Sequence, residues 1–465
     1  MRKVLRRLIF LGLALCFCAC ETIEIINTPE KDTSDDKYGF GRVYGSGEVP
    51  EIHITVPLDQ WNTLLANFDQ NNKTKQYVSC NVKYTDSNGS VSVKGAGLRL
   101  RGNTSRRRPE DGETHSAKGT GWHHCHFSVN LDKYTKDAAH KIRGMKKMHL
   151  KWFKDDPCYV REVYCYDLFR RFGIWTAPHS TYCRLWLKVE GDPKETYFGV
   201  YELLEPIDTR FVKARTDGGF GKDDGNLWKC RWPSSLNSTR ASFGRDDGSD
   251  AEYTYEFKSD DNDYAAAKDQ LQDFILKLTG KSDESFYMWI QEVCNVGFLL
   301  QTYAVNVAVG MWDDYWNNSN NYYLYFDSTD KYNYHVYFIP FDYDNTLGTS
   351  QGMDAGRQDP LNWGNNSNPL IYRLLKFEDF RQIYKDALLK LVGENEGLFY
   401  YTASIQRIKD WQDRIREYVP NDTGEDCEIY DAPAPWGNKP DYKIMTAGEK
   451  NFFQVRTQVI NNTCK

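Results

Sequence analysis

Residues 310–348 read GMWDDYWNNSNNYYLYFDSTDKYNYHVYFIPFDYDNTLG, and this stretch predicts most about the fold and chemistry of the chain. An acidic and amide-rich loop comes first, two apolar runs then predict a β-hairpin, and the sequence Asp342-Tyr343-Asp344 follows it. If the second strand stays extended through Asp344, the two carboxylates project to the same side, and Mg²⁺ prefers such oxygen ligands. The alternative is that both aspartates cap a turn, as Asp-Asn sequences often do.

Two adjacent aspartates, Asp313 and Asp314, stand near the start of this stretch. In a kinase catalytic loop, an Asp meets the acceptor hydroxyl and an Asn five positions later helps to hold metal. Asp313 and Asn318 have that spacing, whereas the residue five positions after Asp314 is Ser319. Asp313 is therefore the preferred candidate. The alternative is a helix C-terminus that unwinds into a polar loop. Because a loop, a hairpin and a metal-binding Asp follow each other in kinase order, the joint pattern predicts phosphoryl transfer.

An arginine-bearing strand, Leu98-Arg99-Leu100-Arg101, lies far upstream. Its strict alternation predicts that both arginines share one face. The turn Gly102-Asn103-Thr104-Ser105 follows, and backbone N–H groups flanked by guanidinium groups suit a phosphate. The alternative is a solvated, charged edge strand. The nearby His123, His124 and His126 are interpreted as strand surface residues rather than as metal ligands.

The first 20 residues have the pattern of an export signal. A basic start is followed by an apolar core from Leu8 to Leu15, and the segment ends in Ala19-Cys20. We expect cleavage before Cys20 and lipidation of its thiol, which would anchor the chain to a bacterial membrane outside the cytoplasm. The alternative is an ordinary secretory signal. No later segment approaches the ~20 apolar residues of a membrane helix.

The composition predicts a folded protein with a large core. The 465 residues include 31 Tyr, 24 Phe and 13 Trp, enough for one large or two closely packed domains. The net charge of −6 argues against nucleic acid as a partner. Three of the 12 cysteines lie in the signal region, and the other nine form no CxxC pair, which argues against zinc. The sequence does not decide whether Cys427 and Cys464 form a disulfide.

The order of elements predicts an α+β fold in two lobes. Residues 1–20 are the signal and residues 21–45 a polar tether. Residues 46–262 are predicted to form a mostly β N-terminal lobe with one helix. Residues 263–420 are predicted to form a mostly α C-terminal lobe that carries the acidic motif beside the junction. Residues 421–465 remain as a polar tail.

Five segments together resemble one known family. They are Gly97–Arg106 (GLRLRGNTSR), Phe198–Asp208 (FGVYELLEPID), Gly225–Lys229 (GNLWK), Asn321–Tyr325 (NYYLY) and Ile339–Asp344 (IPFDYD). In this order they resemble the spore-coat protein H (CotH) kinase family, an atypical, secreted branch of the protein-kinase-like fold. The resemblance covers roughly residues 50–420 and is more specific than any single motif.

The resemblance implies ATP and Mg²⁺ as cofactors and a protein hydroxyl as the phosphate acceptor. Carried over by motif, Asp313 is the implied catalytic acid-base, with Asp314 as the alternate. The implied Mg²⁺ ligands are Asn318, Asn321, Asp342 and Asp344. The implied nucleotide-binding residues are Arg99, Arg101, Gly102, Asn103 and Lys229.

The chain departs from the family pattern in one segment. The family usually follows the arginine strand with a lysine-rich Pro-Lys-Lys-Ser-Tyr segment, where this chain has His123–Phe127. Lys118 or Lys229 would then have to neutralise phosphate. The sequence thus predicts an extracytoplasmic, Mg²⁺-dependent protein kinase. The alternative is a catalytically weak, pseudokinase-type surface lipoprotein that binds glycan or protein partners through exposed aromatic residues. A third interpretation is a metal-dependent hydrolase that uses the same carboxylates.

Overall fold

The computed structural model describes residues 37–117, 121–135, 141–435, 437 and 441–465. The predicted signal segment with Cys20, the first part of the tether and Lys118 lie outside the described residues. Within the described chain, two β-sheets are packed with helices, so the predicted α+β class is confirmed.

Seven strands form a barrel-like sheet. They are β1 (Glu51–Val56), β2 (Val78–Asp86), β3 (Gly89–Arg101), β4 (His126–Asn130), β5 (Lys147–Lys151), β6 (Ser180–Val189) and β7 (Thr196–Leu204). The barrel closes in the order β1-β2-β3-β4-β5-β7-β6, with only the β1–β6 pair parallel among these seven strands. Alternation along β3 buries Leu98 and Leu100 and leaves Arg99 and Arg101 half-buried on the other face, as predicted.

Five further strands form a second sheet. They are β8 (Asn226–Cys230), β9 (Phe243–Arg245), β10 (Tyr255–Phe257), β11 (Tyr322–Phe326) and β12 (Val336–Pro340). The spatial order is β12-β11-β8-β10-β9, so β8 pairs with β11 across almost a hundred residues of sequence. The sheet therefore joins chain from both sides of the boundary predicted at residue 262. Strands of three to five residues are too short for a clear periodic pattern in the sequence, and they are buried only when distant strands pair.

Eleven α-helices complete the described chain. They are α1 (Leu58–Gln70), α2 (Arg161–Arg171), α3 (Thr209–Lys213), α4 (Tyr264–Gly280), α5 (Asp283–Val293), α6 (Val296–Ala308), α7 (Tyr315–Asn318), α8 (Pro369–Leu374), α9 (Glu378–Leu391), α10 (Tyr401–Ile415) and α11 (Phe452–Cys464). The single long helix predicted over residues 284–309 is wrong, because the Asn295 side chain accepts from Phe298 N at 3.0 Å and starts α6 anew. None of the described helices has the length and apolar character needed to cross a bilayer.

Both ends of the described chain are packed on the fold. In the predicted tether, Val43 and Tyr44 are buried, and the Phe40 ring stacks on His179 with centroids 4.1 Å apart. In the predicted polar tail, α11 buries Phe452 and Phe453 in the main hydrophobic cluster. A few apolar residues in a polar segment are enough to dock it, because each buried aromatic side chain contributes a large apolar area.

The nine cysteines in the described chain are free thiols. Eight of them are buried, and Cys427 is half-buried. Cys427 and Cys464, whose pairing the sequence left open, do not form a disulfide.

Candidate active site

Lys151, the last residue of β5, lies at the centre of an acidic cluster. Its Nζ contacts a carboxylate oxygen of Glu162 on α2 and lies 2.7 Å from Oδ1 of Asp342. Oδ2 of Asp344 is 3.6 Å away. Burial lowers the pKa of Lys151, but the charges of Asp342, Glu162 and Asp344 outweigh it, and the pKa lies well above its usual value. The ammonium group therefore stays charged although it is buried.

The start of α2 is fixed to the loop after β12. The carboxylate of Asp156 accepts hydrogen bonds from the backbone N–H groups of Val160 and Arg161, both at 2.8 Å. The buried guanidinium of Arg161 pairs with Asp156 at 2.7 Å and donates from Nε to the carbonyl of Thr346 at 3.2 Å. Glu162 follows Arg161, so these contacts hold its carboxylate beside the loop of Asp342.

The chain turns sharply after β12. The strand ends at Pro340, and Asp342 has a φ of 63°, in the left-handed region. The strand therefore does not stay extended through Asp344, which was the condition for placing the two carboxylates on one side. The two carboxylates nevertheless lie close together, because Glu162, Asp342 and Asp344 each bring one oxygen within 4.8 Å of the other two.

The three carboxylates have the electrostatics of a cation site. Burial raises the pKa of Asp342, but Lys151, then Arg101 and Lys229, hold it at about 2. Burial and the charge of Asp342 raise the pKa of Asp344 to about 8. Carboxylates this close repel each other unless a cation lies among them, and the Lys151 ammonium is one such cation. A divalent ion with oxygen ligands also suits this set. In the described part of the chain this is the one group of acidic, histidine or cysteine side chains with such convergence.

Asp313 lies in a cradle of side-chain amides. Asn318 donates to its Oδ1 at 2.6 Å and Asn320 at 3.1 Å, while Asn321 donates to its Oδ2 at 3.0 Å. Asn345, which directly follows Asp344, donates to the same Oδ2 at 3.3 Å. Burial raises the pKa of Asp313, and the charge of Asp342 acts in the same direction. The structure therefore brings Asp313 and the acidic loop together.

Asp314 has a different environment. Its side chain is buried, accepts from Asn317 N at 2.7 Å and from Asn306 Nδ2 at 2.6 Å, and caps α7. A third bond comes from the hydroxyl of Tyr303 at 3.3 Å. Burial raises the pKa of Asp314 to about 7. Because these bonds hold the carboxylate inside the helical core, Asp314 does not suit the role of alternate catalytic residue that the sequence suggested.

Two cations without a carboxylate partner flank the acidic cluster. The side chains of Arg101 and Lys229 make no hydrogen bond or ion pair within the described part of the chain, and the charges of both lower the pKa of Asp342. Lys229 Nζ lies 4.8 Å from the centre of the Phe341 ring, and burial lowers its pKa well below its usual value. Arg99, two residues before Arg101, stacks its guanidinium over Tyr77 at 5.3 Å. Half-buried cationic side chains that lack a carboxylate partner favour an anionic ligand.

The turn after β3 contains the two remaining predicted nucleotide-binding residues, Gly102 and Asn103, and their surroundings differ. Gly102 has a φ of +107°, and a Cβ there would lie 2.8 Å from Ser105 Oγ and 3.3 Å from His126 Cδ2, so only glycine fits without displacement. Asn103 is exposed, and its side-chain oxygen accepts from Lys73. No contact joins Asn103 to the acidic cluster among the described residues.

Sequence reasoning missed Lys151 and Glu162. The missing phosphate-neutralising lysine was sought at Lys118 or Lys229, but Lys151 is the lysine that contacts the carboxylates. A signal was present: Met148 and Leu150 alternate with Lys147, His149 and Lys151, which is the pattern of a half-buried strand.

The fold and this geometry define an α+β protein whose candidate site joins carboxylates, one buried lysine and further basic side chains. Residues 98–446, more than half of the chain, match the family described as CotH kinase protein. The chain belongs to the CotH kinase protein family, and the family membership predicted from the sequence is confirmed. No curated protein matches the chain.

Proposed function

We propose that this protein is an extracytoplasmic protein kinase that transfers the γ-phosphate of ATP to a protein hydroxyl with Mg²⁺. The observation that carries the proposal is the contact of Lys151 with both Glu162 of α2 and Asp342 of the loop after β12. Protein kinases require a strand lysine paired with a helix glutamate, and a metal-binding aspartate beyond the catalytic loop. Membership of the CotH kinase protein family supports the same proposed function. In this proposal the barrel and the helical half act as the two lobes of a kinase.

The proposed metal ligands combine the acidic loop after β12 with the amides around Asp313. Asp342 and Asp344 would hold Mg²⁺ with the amide oxygens of Asn318 and Asn321, whose nitrogens already donate to Asp313. Mg²⁺, when bound, would supply positive charge to the phosphate oxygens. Lys151 and Arg101 would add fixed positive charge on the protein side, and a bound phosphate would favour the charged form of Lys229.

Asp313 would orient the acceptor hydroxyl and take its proton. The amide cradle fixes the carboxylate, and its raised pKa makes it a better base than an exposed aspartate. As the acceptor oxygen bonds to the γ-phosphorus, the bond from that phosphorus to the bridging oxygen breaks. The electron pair leaves with ADP, and the acceptor proton moves to Asp313.

The proposed location rests on the N-terminal pattern. Lipidation of Cys20 would hold the protein at a bacterial membrane on its extracytoplasmic side, with a protein substrate and the membrane as partners and no nucleic acid. Mass spectrometry of the membrane-extracted protein tests it, since a diacylglyceryl adduct on Cys20 is expected. A Cys20→Ser variant should then appear in the soluble fraction.

The activity test uses the chain from residue 21 with γ-labelled ATP and Mg²⁺. Wild type should label itself or an added acceptor protein, and Asp342→Asn should lower the incorporation by roughly 10²-fold or more, because the metal and Lys151 lose their shared carboxylate. Asp386→Asn, on the exposed face of α9, is the matched control and should retain full activity. Equal labelling in wild type and Asp342→Asn, or none in either, contradicts the proposal. Phosphate release without labelled protein would indicate the hydrolase instead.

The structure removes the main ground for the binding-protein alternative. That alternative rested on an absent lysine and on exposed aromatic residues. Lys151 supplies the cation. The exposed aromatic residues of the described chain, Tyr134, Trp232, Tyr332 and Tyr430, remain the observation that favours a glycan- or protein-binding role.

A further inference from the structure

We propose that His126 is a nucleotide-binding residue of this site, and that its neutral imidazole donates a hydrogen bond from Nε2 to a phosphate oxygen. This inference rests on the proposed function and assigns a residue that replaces part of the missing lysine-rich segment. The argument uses the position of His126, its tautomer and the free side of its ring.

His126 lies between two cations of the site. It opposes Arg101 in the register of β3 and β4, and the β4–β5 register pairs the next residue, Phe127, with Leu150. Continued by one residue, this antiparallel register places Lys151 of β5 opposite His126, and Lys151 contacts Asp342. His126 is thus the β4 residue between Arg101 and Lys151 on the polar face of the sheet.

One backbone contact fixes the tautomer of His126. The N–H of Trp152 donates to its Nδ1 at 3.0 Å. Because a backbone N–H can only donate, Nδ1 carries no proton, and the ring proton is on Nε2. Burial keeps the pKa of His126 well below its usual value, and the charges of Lys151 and Arg101 lower it further. The ring therefore presents one neutral N–H donor.

This donor has no protein partner. The His126 side chain is only 2% exposed, and its one hydrogen bond within the described part of the chain is the one that Nδ1 accepts from Trp152. The ring edge with Cδ2, the atom bonded to Nε2, faces Gly102, where a Cβ would come within 3.3 Å. Nε2 therefore lies on the side of the turn after β3. The Nε2 N–H can therefore donate to a ligand that accepts a hydrogen bond at this side of the turn.

Phosphate fits this position better than other ligands. Arg101 and Lys151 supply charge on either side of His126, and a third cation between them would add repulsion. A neutral donor adds a directed hydrogen bond without that repulsion. The neighbouring histidines differ, because His123 pairs with Glu425 at 2.9 Å and His124 pairs with the carbonyl of Phe198 at 2.8 Å.

Two substitutions separate the roles of the two ring nitrogens. His126→Asn places an oxygen near the position of Nδ1, so it keeps the acceptor for Trp152 N–H but lacks the distal donor. His126→Gln reaches the position of Nε2 with an amide N–H but loses the acceptor for Trp152. Calorimetric titration with ATP and Mg²⁺, together with thermal unfolding of the free protein, measures both roles.

We expect His126→Asn to unfold at nearly the wild-type temperature and to bind ATP roughly 10-fold more weakly or worse, the usual effect of losing a hydrogen bond to a charged group. His126→Gln should unfold earlier and keep ATP affinity within about 3-fold of wild type. Adenosine, which lacks phosphate, should bind wild type and His126→Asn equally. Wild-type ATP affinity in His126→Asn, or equal losses in both variants, overturns the inference.

A second titration separates this inference from the proposed kinase function. Inorganic tripolyphosphate with Mg²⁺ tests the donor without adenine or phosphate transfer. If wild type binds tripolyphosphate and His126→Asn does not, the assignment holds even when no protein becomes labelled. If wild type binds neither ATP nor tripolyphosphate, both the inference and the kinase proposal are overturned.

Discussion

Asp313 and Asp314 are adjacent and chemically identical, yet their surroundings give them different tasks. Four amide side chains hold the Asp313 carboxylate beside the acidic loop. The Asp314 carboxylate points into the helical core, where it caps α7 and binds Asn306. Only the Asp313 carboxylate therefore lies beside the acidic loop, where the proposed chemistry needs it, and the Asp314 carboxylate stabilises the helical core.

Substitution of each aspartate tests this division. Asp313→Asn should lower phosphate transfer by roughly 10²–10⁴-fold, the usual contribution of a general base, and change the free energy of unfolding by less than about 1 kcal/mol, because its amide neighbours can flip. Asp314→Ala should lower the free energy of unfolding by about 1–3 kcal/mol, since a cap and buried donors lose their acceptor. Urea unfolding and label incorporation measure both. A stable Asp314→Ala protein without activity contradicts the division.

Some of the site was predictable from single residues, and some was not. The spacing of Asp313 and Asn318 and the acidic Asp342–Asp344 segment identified residues that the fold brings together. The pair of Lys151 and Glu162 escaped because it joins a strand to a helix. Local patterns describe which face a residue occupies, but they do not say which faces of two elements meet.

At the scale of elements, an ion pair ties the end of β7 to the segment after α3. Glu205 accepts from both terminal nitrogens of Arg215, at 2.8 and 2.6 Å, and from the backbone N–H of His179 at 2.9 Å. Both Glu205 and Arg215 are buried. A buried pair of this kind contributes little when intact, but the loss of one partner leaves an uncompensated charge.

This ion pair predicts a pH dependence of stability. Burial raises the pKa of Glu205, but Arg215 outweighs it and lowers the pKa to about 2. The pKa of a glutamate in an unfolded chain is about 4.3. Because the folded pKa is the lower one, the stabilisation is fully present above the unfolded pKa and is lost as the pH falls towards 2. The shift corresponds to about 3 kcal/mol.

Glu205→Gln isolates this contribution, because a neutral amide has no proton to gain. Wild type should exceed the variant in free energy of unfolding at pH 5, and the gap should narrow steadily at pH 4 and pH 3. Urea unfolding at the three values measures the gap, and other titrating groups cancel between the two proteins. A gap that stays constant with pH would show that Glu205 does not titrate in this range.

Strand pairing marks the limit of element prediction. The hairpin of β11 and β12 was predictable because its two runs adjoin in sequence. Its pairing with β8 was not, since β8 has five residues and lies almost a hundred positions upstream. Leu227 and Trp228 point to opposite faces of β8 and are buried in two different hydrophobic clusters, which form only when the whole sheet is assembled.

At the scale of the whole molecule, the chain end is a structural part of the fold. Glu425 accepts hydrogen bonds from Arg107 and from the backbone N–H of His124, which joins the segment before α11 to the barrel. On α11, Arg456 is fully buried and donates from Nε to the carbonyl of Val307 at 3.1 Å. The polar composition of residues 421–465 suggested a tail because composition describes the average residue of a segment. Packing of α11 on the fold depends instead on a few apolar side chains at helical spacing.

Phe453 links this last helix to the active-site elements. Its ring packs edge-on against Tyr164 of α2 with centroids 5.2 Å apart, and Tyr164 is two residues beyond Glu162. A second contact joins it to Phe399 at 5.0 Å. Loss of this ring therefore removes packing from the helix that positions Glu162.

Phe453→Ala tests whether α11 and the rest of the molecule unfold as one unit. The free energy of unfolding should fall by about 3–5 kcal/mol, the usual cost of truncating a buried phenylalanine, with a single transition retained. Gln458→Ala, on the exposed face of the same helix, is the control and should change it by less than about 0.5 kcal/mol. Urea unfolding followed by both tryptophan fluorescence and far-UV circular dichroism measures the effect. An unchanged main transition preceded by a separate early one would mean that α11 docks without supporting the fold.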